Sequence, residues 1–424
     1  MSIANFFNRV KNNGDAKTVI NNFAWLSALQ IAGYIFPLIT IPYLAKVIGV
    51  DGFGKIAFAS AVIVWIQTIA DWGFNFTATR DVAKNKYDKI AVSEIFSNVL
   101  WARILLMIIS LAVLVILVIS VPVFNDNAMV IFATFLMIPG HICFPDWFFQ
   151  AVEKMKYITI LNLLFKLLFT LSIFLVVKEK NDYLWQPILI SLGYVVCGVI
   201  SMYIILVKWG VKLCRFSFAK VKKTISSSTD VFINNLAPNL YNSFSVMLLG
   251  LCGGSQANGI LDGGNKFVNI TMQFQSILSR VFFPYISRNE DKIGLFARIN
   301  NVCSIVLCLI LFLFAPTIIH LMLSEEFNGS IVVLRLLAIS LVFTGLTNTY
   351  GTNYLIVRHK EKLLRNLTLL SSIIGFIIAI PLIYYFSVVG AALTILLSRV
   401  MLGVFSFVSV KRIENNELLK NTSV

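Results

Sequence analysis

Long apolar runs recur along the whole chain and are separated by short polar breaks. A run of about 20 apolar residues is long enough to cross a bilayer as a helix. The breaks carry turn residues, such as the Gly-rich stretch 49–54 and the Asn-Asp-Asn sequence at 125–127. The pattern predicts twelve transmembrane helices, near residues 23–44, 56–76, 99–121, 127–149, 157–177, 184–207, 230–251, 257–284, 301–323, 331–356, 365–386 and 388–410.

Composition supports a membrane protein. The chain of 424 residues is 58% hydrophobic and only 13% charged, whereas a soluble domain is about 25% charged. The predicted fold class is therefore an all-α polytopic membrane protein. Its six cysteines and three histidines are scattered without metal-binding spacing, so we expect neither a metal nor another cofactor.

The basic residues predict the orientation in the membrane. With the N-terminus in the cytoplasm, 25 of the 35 Lys and Arg residues fall in cytoplasmic segments and four fall in external ones. Cytoplasmic loops of membrane proteins are enriched in Lys and Arg. We therefore expect both termini in the cytoplasm, and the net charge of +15 does not indicate nucleic acid as a partner.

The longest predicted loop divides the chain nearly in half. The division gives an N-terminal six-helix lobe at 1–207, a cytoplasmic linker at 208–229 and a C-terminal six-helix lobe at 230–424. Lys154 and Lys156 before the fifth span match Lys360 and Lys362 before the eleventh, at an offset of 206 residues. Two halves with the same orientation are typical of transporters that rock two lobes around a central site.

A polar stripe runs along the eighth predicted span. Its residues are spaced three or four apart, so that they share one face of a helix about 27 Å long: Asp262, Lys266, Asn269, Gln273, Ser276 and Arg280. The predicted topology places Asp262 near the external side and Arg280 near the cytoplasmic side. Such a face in a membrane helix indicates contact with water, a polar helix or a hydrophilic substrate.

Other spans also carry polar residues, and among those that are charged, cations outnumber acids. A cationic, amide-rich cavity suits a ligand with phosphate and sugar parts. The substrate-binding candidates are Asn75, Arg80, Arg103, Lys166, Asn235, Asn239, Lys266, Asn269, Gln273 and Arg280. Two alternatives stay open: arginines near span ends can reach the headgroups, and amides can join neighbouring helices.

Three acidic residues lie within the predicted spans, namely Asp71, Asp146 and Asp262. A buried acid without a fixed counterion can shuttle protons, so these three are candidates for H⁺ or Na⁺ coupling. Asp71 and Asp146 can instead form hydrogen bonds between helices. Asp262 and Lys266 are four residues apart and can neutralise each other.

Several motifs of the first half resemble those of the O-antigen (Wzx-type) flippases of the polysaccharide transporter family. They include the sequence PLITIPYL at 37–44, WGFNFTATR at 72–80, which contains Asn75 and Arg80, and WFFQ at 147–150. The resemblance implies two six-helix bundles of the MATE-like (MOP) superfamily in a bacterial inner membrane. It also implies transport of an undecaprenyl-pyrophosphate-linked oligosaccharide to the periplasmic leaflet, with other assembly proteins such as a polymerase as further candidate partners.

Two other functions compete with a flippase. A MATE-like exporter of cationic drugs has the same general fold, but the excess of intramembrane cations disfavours a cationic substrate. A membrane polysaccharide polymerase or glycosyltransferase is the enzymatic alternative. The longest loop is basic and about twenty residues long, and the chain contains no DxD sequence for binding a sugar donor, so we expect no enzyme.

Overall fold

The computed structural model describes residues 14–288 and 293–422, and every regular element within them is a helix. Both chain ends, which we expect in the cytoplasm, lie outside the described residues. A chain made of helices satisfies its backbone hydrogen bonds within each segment, as lipid requires.

The helices of the first half are α1 (Gly14–Asp71), α2 (Phe74–Lys84), α3 (Lys89–Ser120), α4 (Pro122–Asp126), α5 (Ala128–Phe135), α6 (Met137–Cys143), α7 (Asp146–Ala151), α8 (Met155–Val176) and α9 (Trp185–Met202), with a 3₁₀ turn at Lys180–Leu184 and a π-helical turn at Tyr203–Lys208. The helices of the second half are α10 (Phe218–Leu236), α11 (Ser243–Arg288), α12 (Ile293–Leu313), α13 (Ala315–Met322), α14 (Ser330–Leu346) and α15 (Glu361–Thr422), with 3₁₀ turns at Ala237–Leu240 and Glu325–Phe327 and a π-helical turn at Thr347–Ile356.

Three single residues divide the longest helices. Within the described ranges, nine helical segments are long and apolar enough to cross a membrane. Gly49 in α1, Gly254 in α11 and Ser387 in α15 leave the helical conformation. The breaks in α1 and α15 each separate two crossings. The part of α11 before Gly254 is too short to cross alone and completes a crossing that begins in α10. The fold therefore has the twelve crossings that the hydrophobic pattern predicts. The two glycines share one backbone geometry, with φ of 68° and 78° and ψ of −177° in both.

The same type of turn occurs at equivalent positions in the two halves of the sequence. Glu153 and His359, 206 residues apart, adopt left-handed φ values of 58° and 56°. The next residue, Lys154 or Lys360, donates its N–H to the carbonyl five residues earlier, over 2.8 Å and 2.7 Å. This is the Schellman arrangement that ends a helix. The weak lysine match in the sequence thus coincides with a repeated turn.

By their contacts the residues form two compact units. The first contains the residues up to Tyr43 together with Trp65–Ile233, and the second contains Leu44–Val64 together with the residues from Asn234 onward. This division differs from the sequence-based lobes in two places. Leu44–Val64 packs with the second half of the chain, and the expected linker at 208–229 packs with the first.

A glycine-mediated crossing explains the first difference. A Cβ at Gly54 would overlap the Ser255 carbonyl oxygen, and a Cβ at Gly259 would overlap the Val50 carbonyl oxygen. Gly54 and Gly259 are 205 residues apart, as are Val50 and Ser255, so the contact is reciprocal within the repeat. Asp51 also accepts a hydrogen bond from the Ser255 hydroxyl. Two helix starts therefore meet backbone to backbone within the second unit.

The second difference arises because part of the expected linker is fixed along α3. The Lys212 N–H donates to Ser93 Oγ over 3.1 Å, and the Cys214 N–H donates to Ser97 Oγ over 2.8 Å. Trp101 Nε1 donates to the Cys214 carbonyl over 3.0 Å. The three α3 residues follow one another at four-residue spacing, so they share one face of the helix. The extended segment before α10 is thus held on the first unit.

Residues of the WGFNFTATR motif hold α10 on the first unit. The Trp72 ring stacks on Phe232 with a centroid distance of 3.8 Å, and its Nε1 donates to the Ile225 carbonyl over 3.1 Å. Gly73, with a left-handed φ of 77°, lies against Val231. These residues of the motif therefore have a structural role.

Candidate functional site

The polar stripe lies on the second part of α11, after the break at Gly254. None of its six residues is buried, and Gln273 and Arg280 are exposed. The spacing in the sequence thus corresponds to one accessible helical face within the second unit.

One end of the stripe is internally neutralised. Lys266 Nζ forms an ion pair with the Asp262 carboxylate. The same ammonium group lies 3.8 Å from the centre of the Phe53 ring, and Phe53 packs edge-on against Phe327 with a centroid distance of 5.4 Å. The mutual pairing that the sequence left open is therefore formed, and the aromatic ring stabilises the cation further.

The rest of the stripe is unpaired. Across residues 14–288 and 293–422, no hydrogen bond or ion pair involves the side chains of Asn269, Gln273, Ser276 or Arg280. Polar groups without partners are costly in a hydrocarbon environment. This half of the stripe consequently requires water or a polar ligand, and it combines one cation with three neutral hydrogen-bonding groups.

The opposite face of the same helix has a different role. Gln275 is buried, and its Nε2 donates to Ser304 Oγ over 2.9 Å and to the Leu341 carbonyl over 3.1 Å. Its Oε1 accepts from Thr344 over 2.9 Å. These bonds join α11 to α12 and α14. Polar residues of one span thus serve both as accessible groups and as structural links.

Asn235 and Asn239 are four residues apart in the sequence but do not lie on one continuous α-helix. α10 ends at Leu236 and a 3₁₀ turn follows, so the exposed Asn235 and the half-buried Asn239 belong to different elements. Asn242 accepts a hydrogen bond over 3.4 Å from Arg399. Arg399 is 5% exposed and also donates to Ser340 over 3.0 Å. Asn242 therefore joins two spans.

A charged cluster lies in the first unit. Arg103 is 1% exposed and forms an ion pair with Asp71. His141 Nε2 lies 3.3 Å from the other carboxylate oxygen of Asp71. Asp71 thus has a cationic partner from α3, and its contacts join three helical segments, which is the helix-to-helix bonding that the sequence left open as an alternative to ion coupling. Sequence reasoning missed His141, since no spacing relates it to the other two residues.

The remaining candidates of the first unit lie apart from this cluster. Asp146 accepts the N–H of the next residue over 2.8 Å at the start of α7. Lys166 is half-buried and pairs with no carboxylate among the described residues. Asn75 has a buried Oδ1 without a partner in those ranges, whereas Arg80 is exposed and pairs with Asp81 over 2.9 Å.

Comparison with known proteins identifies the family. Residues 19–290 match the model of a family described as polysaccharide biosynthesis protein. A protein of Escherichia coli (strain K12) is 26% identical over 406 residues, which cover 94% of this chain and 97% of the relative. A protein of Shigella dysenteriae is 24% identical over 396 residues, which cover 92% and 99%. Both relatives carry the name "Putative O-antigen transporter".

Solved structures of a flippase and of a transporter share the fold of this chain. The lipid II flippase MurJ, in an inward closed conformation, superposes with a TM-score of 0.73 at 13% identity, over 92% of this chain and 87% of MurJ. An outward-facing multidrug resistance MATE family transporter of the MOP superfamily gives 0.59 at 15% identity, over 93% and 96%. The chain has the fold of these multi-pass membrane proteins, and it belongs to the family of polysaccharide biosynthesis proteins.

Proposed function

We propose that this protein is a flippase that moves an undecaprenyl-pyrophosphate-linked oligosaccharide, the O-antigen repeat unit, to the periplasmic leaflet of the bacterial inner membrane. Transport follows alternating access, and both termini lie in the cytoplasm. Family membership, the names of the two relatives and the fold shared with MurJ all support this function. A glycan polymerase is a further proposed partner.

The observation that carries the proposal is the unpaired half of the stripe. Arg280 can bind a phosphate, and Asn269, Gln273 and Ser276 can exchange hydrogen bonds with sugar hydroxyls. Lys266 contributes a second cation, although Asp262 partly compensates it. The polyprenyl chain stays in the lipid while the polar headgroup follows this face.

The charge balance argues against a drug exporter. A cationic substrate needs acidic groups that are free to bind it, whereas Asp71 and Asp262 are both engaged with cations. A polymerase or glycosyltransferase is disfavoured because both relatives are named as transporters.

Replacing Arg280, the unpaired cation of the stripe, should reduce transport of the lipid-linked glycan. In a strain that lacks its own flippase, the wild-type gene should restore surface glycan, and Arg280→Ala should restore several-fold less at equal protein level. Lys266→Ala should have a smaller effect, because its charge is already partly neutralised. Surface glycan and lipid-linked intermediates in the cytoplasmic leaflet are the quantities to measure.

The matched control for this experiment is Arg298→Ala, which removes an exposed arginine away from the stripe. It should restore glycan to the wild-type level. Full activity of both Arg280→Ala and Lys266→Ala would disprove the cationic site. Unchanged surface glycan after deletion of the gene, without a second flippase, would disprove the function itself.

We also propose that H⁺ or Na⁺ coupling involves Asp71, an intramembrane acid whose carboxylate contacts both Arg103 and His141, because acids within transmembrane segments often mark ion and proton pathways. His141→Gln should reduce glycan export at equal protein level, because it removes the imidazole that contacts the Asp71 carboxylate over 3.3 Å. The exposed His320, 2.9 Å from Asn328, provides the control substitution His320→Gln. Equal glycan export by His141→Gln and His320→Gln would argue against this role.

A further inference from the structure

A cavity of about 350 Å³ lies at one end of the first unit. The α2–α3 turn, the α7–α8 turn and the segment after the sixth crossing meet there. Its lining includes Lys86, Lys89, Phe148, Val152, Lys154 and Trp209. None of the residues assigned above to substrate or ion coupling belongs to this lining, so the cavity is a separate feature.

Aromatic and aliphatic side chains form the walls. Trp209 is held by Phe148, Phe149 and Tyr157, whose ring centres lie 6.3, 5.6 and 5.5 Å from its own. Val211, in the extended segment fixed along α3, continues the apolar surface. Gly210, with φ of 69°, leaves this edge of the cavity open because nothing lies within 4 Å of where its Cβ would be.

Lysines supply the charge of the cavity. Lys86 pairs with Glu153 over 2.6 Å, and Asp88 uses its carboxylate to cap α3 through the N–H groups of Ile90 and Ala91. Lys89 and Lys154 pair with no carboxylate in the described parts of the chain. The cavity therefore combines an apolar wall with two uncompensated cations.

We infer that this cavity binds the phosphate headgroup of an anionic lipid, with the first carbons of the lipid tail against Trp209 and Phe148. Lysine ammonium groups bind phosphate, and the volume falls within the usual range of small-molecule sites. Free phosphate would leave the apolar wall uncovered, and a zwitterionic headgroup would leave the lysines uncompensated. The lipid can be a phospholipid or the polyprenyl diphosphate carrier, since both offer this chemistry.

The experiment measures binding of single lipids to the purified full chain by native mass spectrometry. The probes are phosphatidylglycerol, undecaprenyl pyrophosphate, phosphatidylcholine and inorganic phosphate. Lys89→Gln/Lys154→Gln should weaken binding of the anionic lipids roughly ten- to thirtyfold, because each lysine near a lipid phosphate contributes about one kcal/mol. Lys222→Gln/Lys223→Gln, which changes two exposed lysines outside the cavity, is the matched control and should bind like the wild type.

Each outcome has a defined meaning. Loss of phosphatidylglycerol binding in the double variant would support a site for ordinary membrane lipid, and loss of undecaprenyl pyrophosphate binding would support a site for the carrier. Equal loss in the Lys222/Lys223 control would overturn the inference, because the effect would then be general electrostatics. Phosphatidylcholine or inorganic phosphate binding as tightly as the anionic lipids would also overturn it. Because lipid binding is measured without transport, failure here leaves the flippase proposal unaffected.

Discussion

Arg103→Leu should destabilise the first unit by about 3–5 kcal/mol, because removing one partner of a buried ion pair leaves the other charge uncompensated. Arg103 is 1% exposed and Asp71 is 16% exposed, so water can compensate the remaining carboxylate only weakly. His141 Nε2 lies 3.3 Å from the Asp71 carboxylate, and a hydrogen bond from it recovers part of the loss. Thermal unfolding of the purified protein in detergent measures the effect.

The double variant Asp71→Leu/Arg103→Met makes this prediction specific. Replacing a buried ion pair with apolar residues of similar size is often neutral for stability, so this variant should unfold closer to the wild type than Arg103→Leu does. Arg335→Leu is the matched single control. Arg335 is half-buried and donates to the Phe312 carbonyl over 3.3 Å in a solvent-exposed hydrogen bond, and its loss should cost less than about 1 kcal/mol. If the double variant were as unstable as Arg103→Leu, lost packing and not the unpaired charge would be the cause.

The sequence predicts the transmembrane crossings and the polar stripe, but not the ion pair between Asp71 and Arg103. The twelve crossings follow from local hydrophobicity, because insertion into lipid depends on the composition of each segment. The stripe on α11 is predictable for a similar reason, since its spacing alone fixes a helical face. The spacing of residues along the sequence does not show which distant residues a side chain contacts in the folded protein.

Asp71 illustrates this limit, because its partners Arg103 and His141 lie 32 and 70 residues away. Gln273 and Gln275 illustrate it again. They are two residues apart, yet one is exposed and the other is buried in a network with α12 and α14. The Leu44–Val64 segment is a third example. Its place in the second unit depends on a crossing of two glycines that are 205 residues apart. Long-range packing decides all three cases.

That crossing leads to the second major prediction. Gly54→Ala should destabilise the protein by about 1–3 kcal/mol, the usual cost of inserting a methyl group where no space exists. The atom that the new Cβ would overlap is the Ser255 carbonyl oxygen, which is backbone, so no side chain can rotate away. The two helix starts must therefore separate. Surface glycan should fall as well, provided that transport requires their close approach.

Alanine substitutions at Gly259, the reciprocal glycine of the crossing, and at Gly294, outside it, test this prediction further. Gly259→Ala should have an effect similar to that of Gly54→Ala, and the double variant should cost less than the sum of the two, because one separation relieves both overlaps. Gly294→Ala is the control, since no atom of the described residues lies within 4 Å of its Cβ position in α12. Alanine there should be neutral or stabilising by up to about 1 kcal/mol, as expected from helix propensity. Fully additive losses at Gly54 and Gly259, or an equal loss at Gly294, would show that the two helix starts do not form one close contact.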